Sequence, residues 1–273
     1  MQKSLIAVAL AGVFSLPTLV MAEEATAPAS PWTVTTNIYG VSDYYFRGIT
    51  QTWHKPAIQG GADVAHSSGF YAGVWGSNVS SNQYPGGSSL EFDYYGGYNG
   101  KISDDWGWTA GGHGYYYPGA SFDKAAAGGP DEKFNSFEAN LGLSYKFMSV
   151  KYSYFLTDWF GYNKNTGFDD DTKGTGYLEF NLAYEFMPTY TVNFHAAHTD
   201  VSAKTLSGLD PSYDDYLIGV TKTFTGGWVS SLAYVKSNYK DKDFYQPTFS
   251  FANSDTLNNP GSGRVILSVG RVF

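Results

Sequence analysis

From Ser136 onward, polar and apolar positions alternate without a break. Phe137, Ala139, Leu141, Leu143, Tyr145 and Phe147 fall on one side, and Ser136, Glu138, Asn140, Gly142, Ser144 and Lys146 on the other. A period of two predicts an extended strand with one apolar and one polar face. The pattern returns in Leu178, Phe180, Leu182, Tyr184 and Phe186 against Glu179, Asn181, Ala183 and Glu185, and again in Leu90, Phe92, Tyr94 and Tyr98 against Glu91 and Asp93. About twelve such segments follow one another: Trp32 to Phe46, Ala57 to Ala65, Gly69 to Val79, Ser89 to Tyr98, Trp106 to Tyr117, Ser136 to Phe147, Met148 to Asp158, Gly176 to Phe186, Tyr190 to Thr199, Asp215 to Phe224, Trp228 to Tyr239 and Arg264 to Phe273.

Their connections alternate in length. HSSG, NGKISDD, MPT and TGG are short, and almost nothing separates Phe147 from Met148. The stretches Pro118 to Asn135, Trp159 to Thr175, Asp200 to Asp214 and Lys240 to Gly263 are long. A soluble sandwich also alternates, with its apolar face on a core. Here the aromatics mark the difference. If Phe273 ends a strand at the short-turn end, other strands running that way finish in Tyr98, Phe147, Phe186 and Phe224, and strands running back begin with Trp32, Phe70, Trp106, Tyr190 and Trp228. Rings gathered at one end of the strands fit a water-lipid interface. The expected fold is all-β: an antiparallel transmembrane β-barrel of about twelve strands over residues 32–273, with short periplasmic turns and long extracellular loops.

The ends of the chain agree with export. Lys3, the apolar stretch Leu5 to Val20 and the sequence Val20-Met21-Ala22 have the three parts of a secretory signal, with cleavage after Ala22. Residues 23–31 (EEATAPASP) then read as a short periplasmic leader. The terminal aromatic Phe273 fits the insertion signal by which barrel-assembly machinery receives such a chain. Localisation in the outer membrane of a Gram-negative bacterium follows from these expectations.

Composition narrows the function classes. No cysteine occurs, so disulfide scaffolds and thiol chemistry are excluded. Charged residues make up 15% of the chain, aromatics 18%, and mean hydropathy is -0.28, which excludes a transmembrane helix bundle. A formal net charge of -8, becoming -9 once Lys3 is removed, argues against nucleic acid as a partner.

Taking the polar parity of each strand as inward, the lumen wall carries Arg47, Gln59, Asp63, Glu91, Asp93, His113, Glu138, Asn140, Lys146, Lys151, Glu179, Asn181, Glu185, Asn193 and His195. Inward placement avoids about 2–4 kcal/mol for each Lys or Arg that would otherwise face lipid at the midplane. Acids outnumber bases, so such a wall favours cations and neutral solutes. A barrel of about twelve strands lies between those that fill with side chains and those that hold water, which leaves an open narrow channel and a plugged barrel as alternatives. The segment Arg47 to Pro56 reads as an outer connection, in which Arg47 pairs with Asp43 or Asp63 to hold the first strands, or with Gln51 forms a latch at the mouth.

The stretch Tyr44 to Val79 (YYFRGITQTWHKPAIQGGADVAHSSGFYAGVWGSNV), followed by Ser89 to Gly100 (SLEFDYYGGYNG), resembles the opening of the TorF-type porins, the Gcw_chp conserved hypothetical outer-membrane proteins. FRG, QT, PAxQGGxD and SGFYAGxWxSN carry the resemblance, which covers about the first three strands and continues more loosely to Phe273. It implies an outer-membrane channel and supplies no substrate. Passive diffusion of small solutes is thus the expected function. The alternatives are a plugged structural or adhesive barrel binding a surface partner through outer loops such as Tyr115 to Pro130 and Tyr245 to Gly263, and a soluble barrel holding an apolar ligand.

Catalysis is not expected. His66-Ser67-Ser68-Gly69 pairs a histidine with serines, but it occupies a tight turn and lacks a third, orienting group. No cofactor or metal is expected either. His195 and His198 differ in parity and point to opposite faces, and Asp169-Asp170-Asp171 lacks the spacing of a calcium loop, although divalent bridging to lipopolysaccharide stays open. The expected partners are outer-membrane lipid and lipopolysaccharide, the assembly machinery and small solutes. Oligomeric state is not legible.

Overall fold

The computed structural model describes residues 30–124, 129–245 and 259–273. The expected signal, 1–22, and the leader up to residue 29 lie outside the described residues. The strands are β1 (Trp32–Val41), β2 (Tyr45–Phe46), β3 (Ile49–Thr50), β4 (Ala57–His66), β5 (Phe70–Asn78), β6 (Leu90–Lys101), β7 (Trp106–Tyr116), β8 (Ser136–Tyr145), β9 (Met148–Phe155), β10 (Gly176–Met187), β11 (Tyr190–Asp200), β12 (Tyr213–Thr223), β13 (Trp228–Tyr239) and β14 (Arg264–Val272). Twelve of them close into one antiparallel barrel in the order β1-β14-β13-β12-β11-β10-β9-β8-β7-β6-β5-β4, with β4 returning to β1. β2 and β3 form a separate hairpin.

Closure removes the sheet edges, and each strand keeps one face out and one in. On β10, Leu178 is 51% exposed while its neighbour Glu179 is 5% exposed. Val34, Ile38, Ile58, Val74, Phe92, Leu141, Val150, Ile218, Leu232, Val265 and Leu267 are likewise exposed, from strand to strand around the barrel. So large an apolar surface far exceeds what a water-soluble protein leaves open. It is the lipid-facing belt of a transmembrane β-barrel. Outward glycines do not leave gaps in it: a Cβ on Gly114 would lie 2.2 Å from the ring of Tyr94, and one on Gly112 2.7 Å from that of Phe137, so neighbouring rings cover them.

The segments expected from the alternation match the barrel strands within a few residues, with one correction. The first segment, expected to run from Trp32 to Phe46, ends as a wall strand at Val41. Ser42 still bonds Leu267 on β14, its N–H to the carbonyl at 2.9 Å. Beyond it the chain turns into the barrel.

Buried apolar side chains gather at the loop end. Tyr84, Tyr117, Phe122, Phe134, Trp159, Phe160, Phe168, Phe244 and Tyr245 form one cluster with Tyr44, Ile49 and Trp53 of the inturned segment. At the turn end, Trp32, Phe70, Trp106, Phe186, Phe224, Trp228 and Phe273 are exposed, and Tyr98, Phe147 and Tyr190 are half-buried. Phe70 meets Tyr98 edge-on at 5.0 Å, Phe147 meets Tyr184 at 5.1 Å, and Phe273 is fixed to β1 by its N–H on the Thr36 carbonyl at 2.8 Å.

Candidate functional site

Residues 42–56 enter the lumen. Asp43 organises the segment: its carboxylate accepts from Thr50 Oγ1 at 2.6 Å and Thr52 Oγ1 at 3.0 Å and meets His54 Nδ1 at 2.7 Å. Between β2 and β3, Arg47 (φ 46) and Gly48 (φ 73) both take the left-handed conformation that a two-residue hairpin needs at its centre. The tip crosses to the far wall. Arg47 Nη2 donates to both carboxylate oxygens of Glu138 on β8 at 2.8 Å, and the guanidinium lies 4.0 Å from the Tyr177 ring centre on β10. Ser237 on β13 donates to the Gly48 carbonyl at 2.7 Å. Tyr45 Oη donates to the Ser262 carbonyl and Thr50 N–H to that of Pro260, both at 3.0 Å.

Two expectations change here. The stretch from Arg47 to Pro56 is not an outer connection, and Arg47 pairs with neither Asp43 nor Asp63. Asp63 instead accepts from Tyr95 Oη at 2.7 Å. Glu138 lies 91 positions away in sequence, and only closure of the barrel brings it opposite the hairpin tip. Gln51, read as a candidate latch beside Arg47, accepts from Tyr84 Oη at 2.6 Å instead.

Around the wall the remaining polar groups form chains. Lys151 meets Glu179 at 2.7 Å, Asn181 donates to Glu179 at 3.1 Å, and His195 bridges Asn181 Oδ1 at 2.7 Å and Asp215 Oδ1 at 2.9 Å, with Tyr177 Oη 3.0 Å from its Nε2. On the opposite side His113 meets Asp93 at 2.9 Å and stacks between Tyr95 and Tyr115 at 5.2 and 4.4 Å. Glu91 accepts from Tyr117 at 3.0 Å, and Tyr117 stacks on Tyr84 at 3.8 Å. Burial, and then the charge of Glu91, push the Tyr84 hydroxyl well above its ordinary value, so it stays a donor.

Gln59 and Asn193 are buried, with Asn193 donating to Thr221 at 2.9 Å, and Asn140 is half-buried. Two residues expected on the wall lie at its end. Lys146 occupies the β8–β9 turn with φ 51, exposed and 3.5 Å from Asp105. Glu185 is exposed and accepts from the Thr189 N–H at 2.9 Å. For Lys146 the strand parity runs one residue past the end of β8, whereas Glu185 is still paired with Thr191 on β10 and is exposed because it lies at the turn-end mouth. His54, Tyr177 and Asp215 were missed, and Asp43, read as an inward acid beside Arg47, has His54 as its partner instead. Asp215 adjoins Asp214 in sequence, and its strand has the apolar Leu217 on the same inward parity, which hid it.

The inner wall has two unlike sides. On β4 to β9, Gly61, Tyr71, Gly73, Gly97, Asn99, Thr109, Gly111, Gly142, Ser144 and Ser149 are half-buried. Gln59 Oε1, Thr109 Oγ1, Ser149 Oγ and Ser153 Oγ have no protein partner among the described residues, as is true also of Asn37 Oδ1 on β1 and Tyr239 Oη on β13. On β12 to β14 and β1, Leu217, Val229, Ala233, Val235, Tyr39 and Val41 are buried, with Tyr45 of the hairpin packed on Leu217, Ala233 and Val235. A cavity of about 40 Å³ remains near the loop end, lined by Phe46, Gln51, Gln83, Tyr84, Phe134, Trp159, Tyr162 and Tyr245.

His66 Nδ1 lies 2.7 Å from Ser68 Oγ in an exposed turn, with Trp32 packed on the imidazole and no carboxylate orienting it among the described residues. His195 is buried on Asp215, whereas His198 is exposed on Asp214. Among the described residues no group of three or more His, Asp or Glu side chains is placed to hold a metal ion.

Wall, belt and inturned hairpin together define a transmembrane β-barrel with a polar, partly filled interior. The family described as "Bacterial protein of unknown function (Gcw_chp)" matches residues 25–270, and the chain belongs to that family. No curated protein matches the chain in sequence. Among solved structures it is similar to the NanC porin, with 10% identity and a TM-score of 0.50 over 87% of this chain and 98% of that one. It is similar also to the KdgM porin, at 8% identity and 0.49 over 88% and 98%, and to a mutant of the TodX monoaromatic hydrocarbon channel, at 9% identity and 0.49 over 90% of each. At these identities the likeness to NanC is one of fold.

Proposed function

We propose that this protein is an outer-membrane channel for passive diffusion of small polar solutes, with a path along the β4–β9 wall. The observation that carries it is the set of half-buried small and polar residues on that wall, inside a lipid-facing barrel. Each buried polar atom left without a partner costs about 1–3 kcal/mol, which favours water beside Gln59, Thr109, Ser149 and Ser153 over a dry plug. The resemblance of the first strands to TorF-type porins supports the same reading, and an exported chain would place the turns in the periplasm.

Cations and neutral solutes are the preferred cargo. Glu138 and Glu179 are met by Arg47 and Lys151, but Asp43, Asp63 and Asp215 are met by imidazoles or hydroxyls. The wall therefore keeps an excess of negative charge.

A second reading is a plugged barrel that acts through its outer loops. The aromatic cluster at the loop end and the Arg47–Glu138 bridge across the lumen favour it. Single-channel recording in planar bilayers, with ions and sugars of graded size, separates the two. Cation-preferring currents support diffusion, anion preference contradicts the charge reading, and silence that persists when Arg47 is replaced by alanine favours the plug.

A further inference from the structure

Basic residues at the turn end of the barrel fall into two groups. On β6 to β9 each has a carboxylate: Lys101 meets Asp104 at 2.7 Å, and Lys146 meets Asp105 at 3.5 Å. On β12 to β14 they do not. Lys222 lies over the rings of Tyr190 at 4.7 Å and Phe224 at 4.9 Å, and Arg271 over Phe273 at 4.6 Å and Trp228 at 5.7 Å. Among the described residues no carboxylate pairs with either.

Both cations face outward. Lys222 shares the parity of exposed Ile218 and Val220, and Arg271 that of exposed Val265, Leu267 and Val269. They flank one strand: Lys222 pairs with Ser230 and Arg271 with Trp228, two positions apart on β13. Strand spacing and rise then put their Cα atoms about 12 Å apart. Side chains of this length reach one group held between them. Arg271 Nε is already oriented by the Gly226 carbonyl at 2.9 Å, which leaves its terminal nitrogens for another acceptor.

We infer that Lys222 and Arg271, with Trp228 and Phe224, form a docking site for the phosphate headgroup of an anionic phospholipid at the turn-end surface of the bilayer. Position and charge complementarity carry the assignment. The lipid-facing belt ends at these rings, so the two unneutralised cations lie at headgroup depth, where a phosphate is the counter-charge available in a bilayer. The aromatic rings fix the stems of the cations and border the glycerol region. Lys101 and Lys146, already neutralised, define a control surface on the same rim.

Native mass spectrometry of the folded barrel, released from nanodiscs of equimolar phosphatidylglycerol and phosphatidylcholine, tests this. The wild type should retain phosphatidylglycerol over phosphatidylcholine by roughly thirtyfold, the scale of two surface cations. Lys222→Gln should lose part of that preference and Lys222→Gln/Arg271→Gln nearly all of it, while Lys146→Gln keeps it. Heat-modifiable gel migration verifies that each variant is folded. Equal retention of the two lipids by the wild type, an unchanged preference in the double variant, or equal competition by inorganic phosphate would overturn the assignment.

Discussion

The β4–β9 wall and the β12–β1 wall enclose the same lumen and could hardly differ more. The first is lined by glycine, serine, threonine and charged pairs, many of them half-buried. The second is lined by Leu217, Val229, Ala233 and Val235 beneath Tyr39 and Tyr45, around a cavity of about 30 Å³ that Ser231 and Ser268 also border. A barrel interior of this size need be neither wholly filled nor wholly open. Packing one side lets the inturned hairpin rest on an apolar bed, and on the proposed reading the polar side is left to solvent. The hairpin tip joins the two through Arg47 on Glu138 and Gly48 on Ser237.

The Arg47–Glu138 bridge gives the largest test of this division. Both groups are buried, so Arg47→Ala leaves Glu138 as an unpaired charge, at a cost of about 3–5 kcal/mol. Urea unfolding of the barrel in vesicles measures it. The joint replacement Arg47→Met/Glu138→Leu should lose much less, because no lone charge remains. Equal losses would mean that the bridge does not join the two walls.

Next comes the packed side. Ser231 and Ser268 share a hydrogen bond of 2.5 Å there. Ser268→Ala should destabilise by about 1–3 kcal/mol by orphaning its partner, and the double alanine variant by less. Gly48→Ala falls in the same range, about 1–3 kcal/mol, since φ is 73 and the new methyl would lie 2.1 Å from Ser237 Oγ. By contrast Ser149→Ala on the polar side should stay within about 0.5 kcal/mol if water already meets that hydroxyl. A clear stabilisation by Ser149→Ala would instead mark that wall as dry.

Acid gives the smallest effect. Partial burial raises the Asp210 carboxyl, but hydrogen bonds from Lys240 and Ser212 and the charge of Lys240 reverse this and bring it down to about 2. With the folded value below the ordinary 3.8, the contact stabilises the outer loops above that value and is lost as pH falls through about 2. Limited proteolysis of the loops should be flat from neutral pH to about 4 and rise below it. Lys240 is largely exposed, so Asp210→Asn at neutral pH should cost no more than about 1 kcal/mol.

Strand alternation made the barrel legible because one face meets lipid and the other does not, a difference that each strand writes locally. It also marked Glu91, Asp93, Glu138 and Glu179, which are buried, but not Asp215. Their partners were not legible, since Arg47 finds Glu138 only across a closed ring. The hairpin was hidden for a related reason: Tyr45 and Phe46 continue the apolar run of β1, and only the left-handed pair at Arg47-Gly48 breaks it. Lys146 shows the opposite error, a true parity extended past the end of its strand, while Glu185 stays within β10 but so near its turn end that it is exposed rather than enclosed.

The chain has no cysteine, so single cysteines report cleanly on each wall. The most direct measurement is the labelling rate of Ser149→Cys and Ser231→Cys, folded in vesicles, by a small membrane-impermeant thiol reagent. A wet β4–β9 side beside a packed β12–β1 side requires fast reaction at position 149 and protection at position 231. Equal rates at the two positions, fast or slow, would contradict the division of the lumen.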